Sequence, residues 1–294
     1  MASPTAPTLA SICSEALSSA GYSNPSSALT ARAQNQWMEE IKNDVFFLAK
    51  KLKSLHTTSY AVTTTGVHRY SNPTDYGSEM TLTLLNGTYS GTAQGGSSAG
   101  VTLSASETVG SDFIVGKYIL ITSGTGKNSC SQCISYDTST KSASVSPNFT
   151  TAPVNGDGYL IIDDYTVLSP KPVWNVDELR LPTLRDKPSN FSPIGDADYG
   201  EFILYPTPDK VYGLQMRYYA NLMTLDLAGT LIGTLYQRWR NIFTQGVYAK
   251  ALKDMDDVRA DNEIQKYNSY LQTLILREQY GVDLSNLQIT VRDF

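Results

Sequence analysis

The sequence predicts an α+β protein: N-terminal helices and a long C-terminal amphipathic helix with a β-hairpin, plus an inserted small antiparallel β barrel or sandwich. Three observations predict it. Trp37, Ile41, Val45, Leu48, Leu52 and Leu55 step by three or four residues, the signature of one buried helix face. From Ser59 the texture turns to Thr, Ser, Gly and Tyr, with short apolar runs separated by turn residues. After Tyr219 the helical period returns in Leu235, Trp239, Ile242, Gly246, Ala249 and Leu252, then in Ile264, Tyr267, Leu271 and Leu274.

Met1 to Pro7 reads as a loose arm. Leu9, Ile12, Cys13, Ala16 and Leu17 give a short helix, capped by Thr8 and ended at Gly21, and a serine of Ser23–Ser27 caps the second helix. Lys50, Lys51 and Lys53 suit the C-terminal end of that helix and need no nucleic-acid role. Met80–Leu85 reads as a strand followed by the hairpin-turn dipeptide Asn86-Gly87, and Gly91–Gly100 as a flexible loop. Tyr118–Thr122, Cys133–Tyr136, Ser142–Val145 and Tyr159–Ile162 read as further strands, with turns at Gly124–Gly126, Asp137–Thr140 and Asn155–Gly158.

The expected organisation is a helical part with a first strand over 1–85 and an inserted β domain over 86–165. A proline-rich ordered connection follows over 166–197, containing Trp174, Leu179, Leu181, Leu184 and Phe191. A hairpin and long helix occupy 198–280, and a tail 281–294. The hairpin is expected because Pro206-Thr-Pro-Asp209 separates two β-rich runs, Glu201–Tyr205 and Val211–Tyr219. The helix is either one rod of roughly 65–70 Å or two helices broken near Asp254–Asp261. Gly281 ends it, and Leu287, Ile289 and Val291 alternate in the tail like a strand that adds to a neighbour.

With 294 residues and 41% hydrophobic content the chain can bury a large core, while charged residues make up only 17%. Nineteen tyrosines against eight phenylalanines suit surfaces that meet other proteins, or simply Tyr-rich strands. A net charge of −5 without a basic block excludes groove-tracking nucleic-acid binding, but not an acidic wall along which DNA slides. The first twenty residues lack a signal-peptide pattern and no run reaches membrane-spanning length, so a protein made and assembled in the cytoplasm is expected.

Catalytic chemistry finds little footing. The two histidines, His56 and His68, have no recognisable nucleophile or orienting carboxylate. Cys130-Ser-Gln-Cys133 is half of a zinc pattern with no second half, and sits among β runs rather than at a helix start. Gly124-Thr-Gly-Lys127 fails the phosphate-loop spacing and reads as a β-turn. No cofactor, metal or catalytic set is expected.

Phe202, Leu204, Tyr205, Pro206, Thr207, Pro208, Asp209, Tyr212, Leu214, Tyr218 and Tyr219, followed by the long helix, form a pattern. It resembles the head-to-tail adaptor (head-completion, or connector) proteins of tailed bacteriophages. The run from Gly116 to Ile161 likewise resembles a β module that recurs in phage virion proteins. The resemblance implies a non-enzymatic virion protein at the neck, forming a homo-oligomeric, typically dodecameric ring. A portal would lie above, a tail or nozzle protein below, and double-stranded DNA would pass through the lumen, with no membrane. On that reading Trp239, Tyr248 and Tyr267 are subunit-interface residues, and Leu287, Ile289, Val291 and Phe294 a portal-binding tail. A second class of function is a β-domain binding module for a glycan or surface, which calls for exposed aromatics among Tyr89, Phe113, Tyr118, Tyr136, Phe149 and Tyr159.

Overall fold

The computed structural model of the chain describes residues 8–48, 56–172, 184–194, 200–220 and 234–280. Among these residues the protein is mixed α+β, with five helices and several antiparallel sheets, none closed into a barrel. The helices are α1 (Leu9–Ser19), α2 (27–48), α3 (Ser111–Ile114), α4 (Thr234–Asp254) and α5 (Ala260–Tyr280). The chain divides into two compact units: residues 1–56 with 219–294, and residues 57–218.

The first unit is helical and built from both ends of the chain. Thr8 caps α1 by accepting from Ser11 N–H, and Gly21, at φ +104°, lets Tyr22 N–H bond back to Leu17 O. That left-handed position is one an L side chain resists. Ser26 Oγ caps α2 by accepting from Leu29 N–H. A π-turn at Ala33–Trp37 adds a residue within α2, and Ala33, Trp37, Met38, Ile41 and Val45 still face inward. They meet Ile12 and Leu17 of α1, Phe243, Val247 and Leu252 of α4, and Tyr267, Leu271 and Leu274 of α5 in one core.

The C-terminal helical period forms two helices, not one rod. Asp256 takes a left-handed φ of 51°, Asp256 N–H bonds to Lys253 O, and Asp257 N–H reaches Leu252 O. These bonds close the end of α4 as glycine usually does. Gln245 of α4 donates to Glu263 of α5 (2.8 Å), and Gly246 lies beneath Tyr267, so the helices return antiparallel. Gly246 permits this approach: a Cβ there would stand 2.7 Å from Ile41 Cδ1 and 3.0 Å from Tyr267 Cε2. Tyr267 OH donates to Asp44 Oδ2 (3.0 Å). Tyr267→Phe is expected to lower stability by about 1 kcal/mol in chemical denaturation, since Asp44 keeps access to water when its donor goes.

The second unit begins with β1 (His56–Val62), β2 (Arg69–Ser71) and β3 (Tyr76–Asn86). Next come β4 (Tyr89–Thr92), β5 (Gly95–Ser97), β6 (Gly100–Thr102), β7 (Tyr118–Ile121), β8 (Cys130–Asp137), β9 (Ser142–Ser146) and β10 (Gly158–Ile162). It closes with β11 (Asp164–Val167), β12 (Ser169–Pro170), β13 (Arg185–Asp186), β14 (Asn190–Ile194), β15 (Glu201–Tyr205), β16 (Thr207–Pro208) and β17 (Gly213–Ala220). The sheets run β1-β17-β3-β11, β4-β10-β7-β8-β9-β6-β5 and β12-β14-β15-β2, with a short parallel pair β13-β16.

Several expectations are corrected here. The two runs flanking Pro206–Asp209 do not form a hairpin: β15 pairs with β14 and β2, whereas β17 lies between β1 and β3. Both runs find their partner in the same earlier segment. Leu204 N–H bonds to His68 O, Gly66 N–H to Pro208 O and Thr63 N–H to Tyr212 O, so residues 201–220 follow 56–71 from one sheet into the other. Asn86-Gly87 is no hairpin turn either, because it carries the chain from β3 in one sheet to β4 in another. The glycine-rich stretch Gly91–Gly100 is not a free loop. Its small residues admit close backbones, and Gly95–Ser97 pairs with Gly100–Thr102.

The seven-stranded sheet is not closed into a barrel. Its two edges, β4 and β5, are successive segments of one stretch, with Ala93 N–H bonded to Asp157 O and Gln94 N–H to Thr102 O. The sheet therefore curls around an apolar interior of Val101, Leu103, Ile114, Ile119, Ile121, Val145 and Ile161. In the proline-rich stretch Phe191 is buried as expected, but Leu184 is exposed; Trp174, Leu179 and Leu181 lie outside the described residues.

Candidate functional site

The residues expected at a subunit interface do not share one setting. Tyr267 is buried in the helical core and held by Asp44, so it packs within its own unit. Burial and then the Asp44 carboxylate push its phenol well above the usual tyrosine range. Tyr248 is half-buried against the same core. Trp239 lies in α4, its side chain outside the described residues, and Leu287, Ile289, Val291 and Phe294 lie outside them altogether.

What the helical unit does present is a face of α5. Between Gln265 and Leu276 the exposed positions include Gln265, Asn268, Ser269, Gln272 and Thr273, with Tyr270 and Leu276 each 44% exposed. Lys266 is the single charged residue among the described exposed side chains of that stretch, and it is paired with Glu263. Solvent-facing helices usually carry many charges, whereas the centre of a protein–protein contact is depleted of them. The polar, charge-poor run Gln265–Thr273 carries this signal in the sequence, whereas the apolar period Ile264, Tyr267, Leu271 and Leu274 marks the opposite face.

The motifs that resembled chemistry are structural. Cys130 and Cys133 are three apart on β8 and point to opposite faces: Cys133 into the interior of the seven-stranded sheet, Cys130 toward Leu85, Leu120 and Tyr60. A pair so arranged cannot share a metal ion. Burial pushes the Cys130 thiol up to about 12, far from a reactive thiolate. His56 is exposed with its ring edge-on to Tyr219, 5.8 Å away, and His68 lies half-buried at the corner where its carbonyl accepts from Leu204. No group of three or more metal-ligating side chains occurs among the described residues.

Gly124-Thr-Gly126 does bind an anion, but the anion is the protein's own. The Asp157 carboxylate is 2% exposed and accepts from Thr125 N–H (3.0 Å), Gly126 N–H (2.8 Å) and Val154 N–H (3.1 Å). A Cβ on Gly124 would overlap Asp157 Oδ1, so glycine is what lets the carboxylate seat. Burial alone would raise this carboxyl, but the three backbone donors outweigh it and hold it below the usual range. Successive N–H groups arranged this way form an anion nest, here filled from within.

None of the six aromatics on which a glycan-binding reading depends is exposed: Phe149 and Tyr159 are buried, and Tyr89, Phe113, Tyr118 and Tyr136 are half-buried. Among the described residues no helix is long and apolar enough to cross a membrane. Comparison with known protein families finds no match, and no curated protein matches the chain.

Proposed function

We propose that this is a structural, non-enzymatic virion protein of the neck. Its copies form a ring, dodecameric as the resemblance implies, beneath the portal of a tailed phage. The ring extends the channel for double-stranded DNA and docks the tail or nozzle protein below. The observation that carries this reading is the charge-poor outer face of α5 on a helical unit assembled from both chain ends. That face suits packing against protein better than against water. A net charge of −5 per subunit, multiplied around a ring, gives a lumen along which DNA slides without sticking.

The test is the mass of the purified chain by light scattering, alone and mixed with the portal ring of the same virus. A ring-sized complex with the portal supports the reading, and a chain that ignores the portal sinks it. In the same assay Ser269→Lys combined with Gln272→Lys places two unpaired charges on the α5 face. Burying an uncompensated charge costs several kcal/mol, so ring assembly should weaken at least about tenfold while the thermal midpoint holds.

A further inference from the structure

A sheet edge is a row of backbone donors and acceptors that another strand can use, and proteins usually blunt it with charge, proline or brevity. Among the described residues the sheet edges follow that rule with one exception. β11 has four residues and carries Asp164, paired with Lys187 (2.6 Å). β2 has three and carries Arg69, and β12 has two and ends at Pro170. β13 and β16 have two each, and β4 and β5 are short and joined by their own chain. β1 differs. Its seven residues, His56-Thr-Thr-Ser-Tyr-Ala-Val62, include no carboxylate, lysine, arginine or proline. Among the described residues β17 alone pairs with it, so its other side is open.

The register shows which groups that edge leaves open. Thr63 N–H bonds to Tyr212 O, Gln215 Nε2 donates to Tyr60 OH, and the His56 and Tyr219 rings meet at 5.8 Å. The strands therefore run antiparallel without a slip. Counting back from Thr63 by twos, Ala61, Ser59 and Thr57 turn their backbone groups toward β17, and Thr58, Tyr60 and Val62 turn theirs away. Tyr60 and Val62 are half-buried beside Leu85, Leu120 and Ile162 on one face, while Ala61 packs on the other against the cluster that holds Leu82, Leu84 and Phe202. A further strand laid here would find a ladder to join and an apolar surface to continue.

The tail beyond α5 holds a segment of matching pattern. Leu287-Gln-Ile-Thr-Val291 alternates apolar and polar residues, includes β-branched side chains at three of five positions, and carries no charge, as β1 carries none. We propose that residues 287–291 of one copy add as a strand to the open edge of β1 in a second copy. Leu287, Ile289 and Val291 continue the face that Tyr60 and Val62 begin, and Gln288 and Thr290 lie on the face of Ser59 and Ala61. Backbone bonds supply the affinity, and the alternation fixes which face turns inward. Tail and edge are different surfaces, so the contact is heterologous and passes from copy to copy. This contact rests on the ring reading, in which it joins neighbouring copies; the tail then serves the next copy and not the portal.

The test is sedimentation velocity on the full chain across a concentration series, with hydrogen exchange read at both ends of it. The wild-type mass should rise with concentration, and the amides of Thr58, Tyr60 and Val62 should gain protection as it does. Thr58→Pro removes an outward N–H that β17 does not use, so it should hold the thermal midpoint while weakening association at least about tenfold. Ile289→Pro should weaken association as much from the tail side. Mixing the two variants should give a one-to-one dimer that grows no further, because each keeps only one half of the contact. The contact is overturned if the wild type stays monomeric to its solubility limit, if either variant associates as the wild type does, or if the mixture gives no dimer. Equal protection of amides 58, 60 and 62 in monomer and assembly overturns it too, and that reading needs no variant to fold. A portal that collects the wild type and both variants alike would keep the ring reading and remove this contact. Association through the tail without portal binding would do the reverse.

Discussion

Asp157→Ala should be among the most damaging single substitutions in the seven-stranded sheet. It leaves the buried N–H of Gly126 without its acceptor, and the part-buried N–H groups of Thr125 and Val154 with water in its place. An unsatisfied buried donor costs roughly 1–3 kcal/mol and the two part-buried ones less, so a net loss of about 2–3 kcal/mol is expected. Chemical denaturation measures it. Should the variant fail to fold, hydrogen exchange at higher stabiliser concentration separates causes: amides 125, 126 and 154 should lose protection before the rest of the sheet. Unchanged exchange at those three would show that the carboxylate is not what holds them.

The pH dependence follows from the same geometry. The folded carboxyl titrates below its ordinary value, so the unfolded chain binds this proton more readily. Its contribution is fully present above the unfolded aspartate value of about 3.9 and is lost as pH falls through the lower folded value. The stability gap between wild type and Asp157→Asn should therefore be flat from neutral pH down to about pH 5 and shrink below about pH 4. A gap that instead changed near neutrality would mean that another group governs the turn.

How much of this was legible in the sequence depended on whether the deciding interaction was local. The capping of α1 by Thr8 and its end at Gly21 rest on contacts within a few residues, and both could be read directly. The strands near 118–121, 142–146 and 158–162 were visible for the same reason. What failed was pairing. Tyr205 and Gly213 are eight residues apart and flank turn-forming residues, yet their strands go to different sheets because both follow residues 56–71, about 140 positions earlier. No local signal encodes that choice. Gly91–Gly100 was misread because glycine serves a flexible loop and a close backbone approach equally well, and only the partner strand distinguishes them. At the candidate surfaces Tyr267, expected at a subunit interface, packs instead in the core of its own helical unit, where the apolar stripe of α5 faces α2 and α4. The docking face is defined instead by missing charge, which periodicity does not report.

Gly87→Ala should cost more than any other glycine-to-alanine change at the boundary between two sheets. Here the chain passes from β3 to β4 alongside its own return from β10 to β11. Asp163 N–H bonds to Asn86 O (3.1 Å), Thr88 N–H donates to Asp163 Oδ2 (3.2 Å), and a Cβ on Gly87 would overlap the Ile161 carbonyl oxygen. The obstacle is backbone, not a side chain that can swing aside, and Leu160 Cδ1 closes the other direction at 3.2 Å. Relief requires the two crossing segments to separate, which strains both the β3–β11 and β4–β10 ladders. Overpacking of this kind costs about 3 kcal/mol, at the upper end of its usual range. Gly110→Ala is the matched control: its Cβ meets nothing within 4 Å, and its φ of −81° suits any residue, so stability should hold or rise slightly. Equal denaturation midpoints for the two variants would show that the crossing has slack, and that residues 86–88 and 161–163 are not the rigid doorway through which the seven-stranded sheet is joined to the rest of its unit.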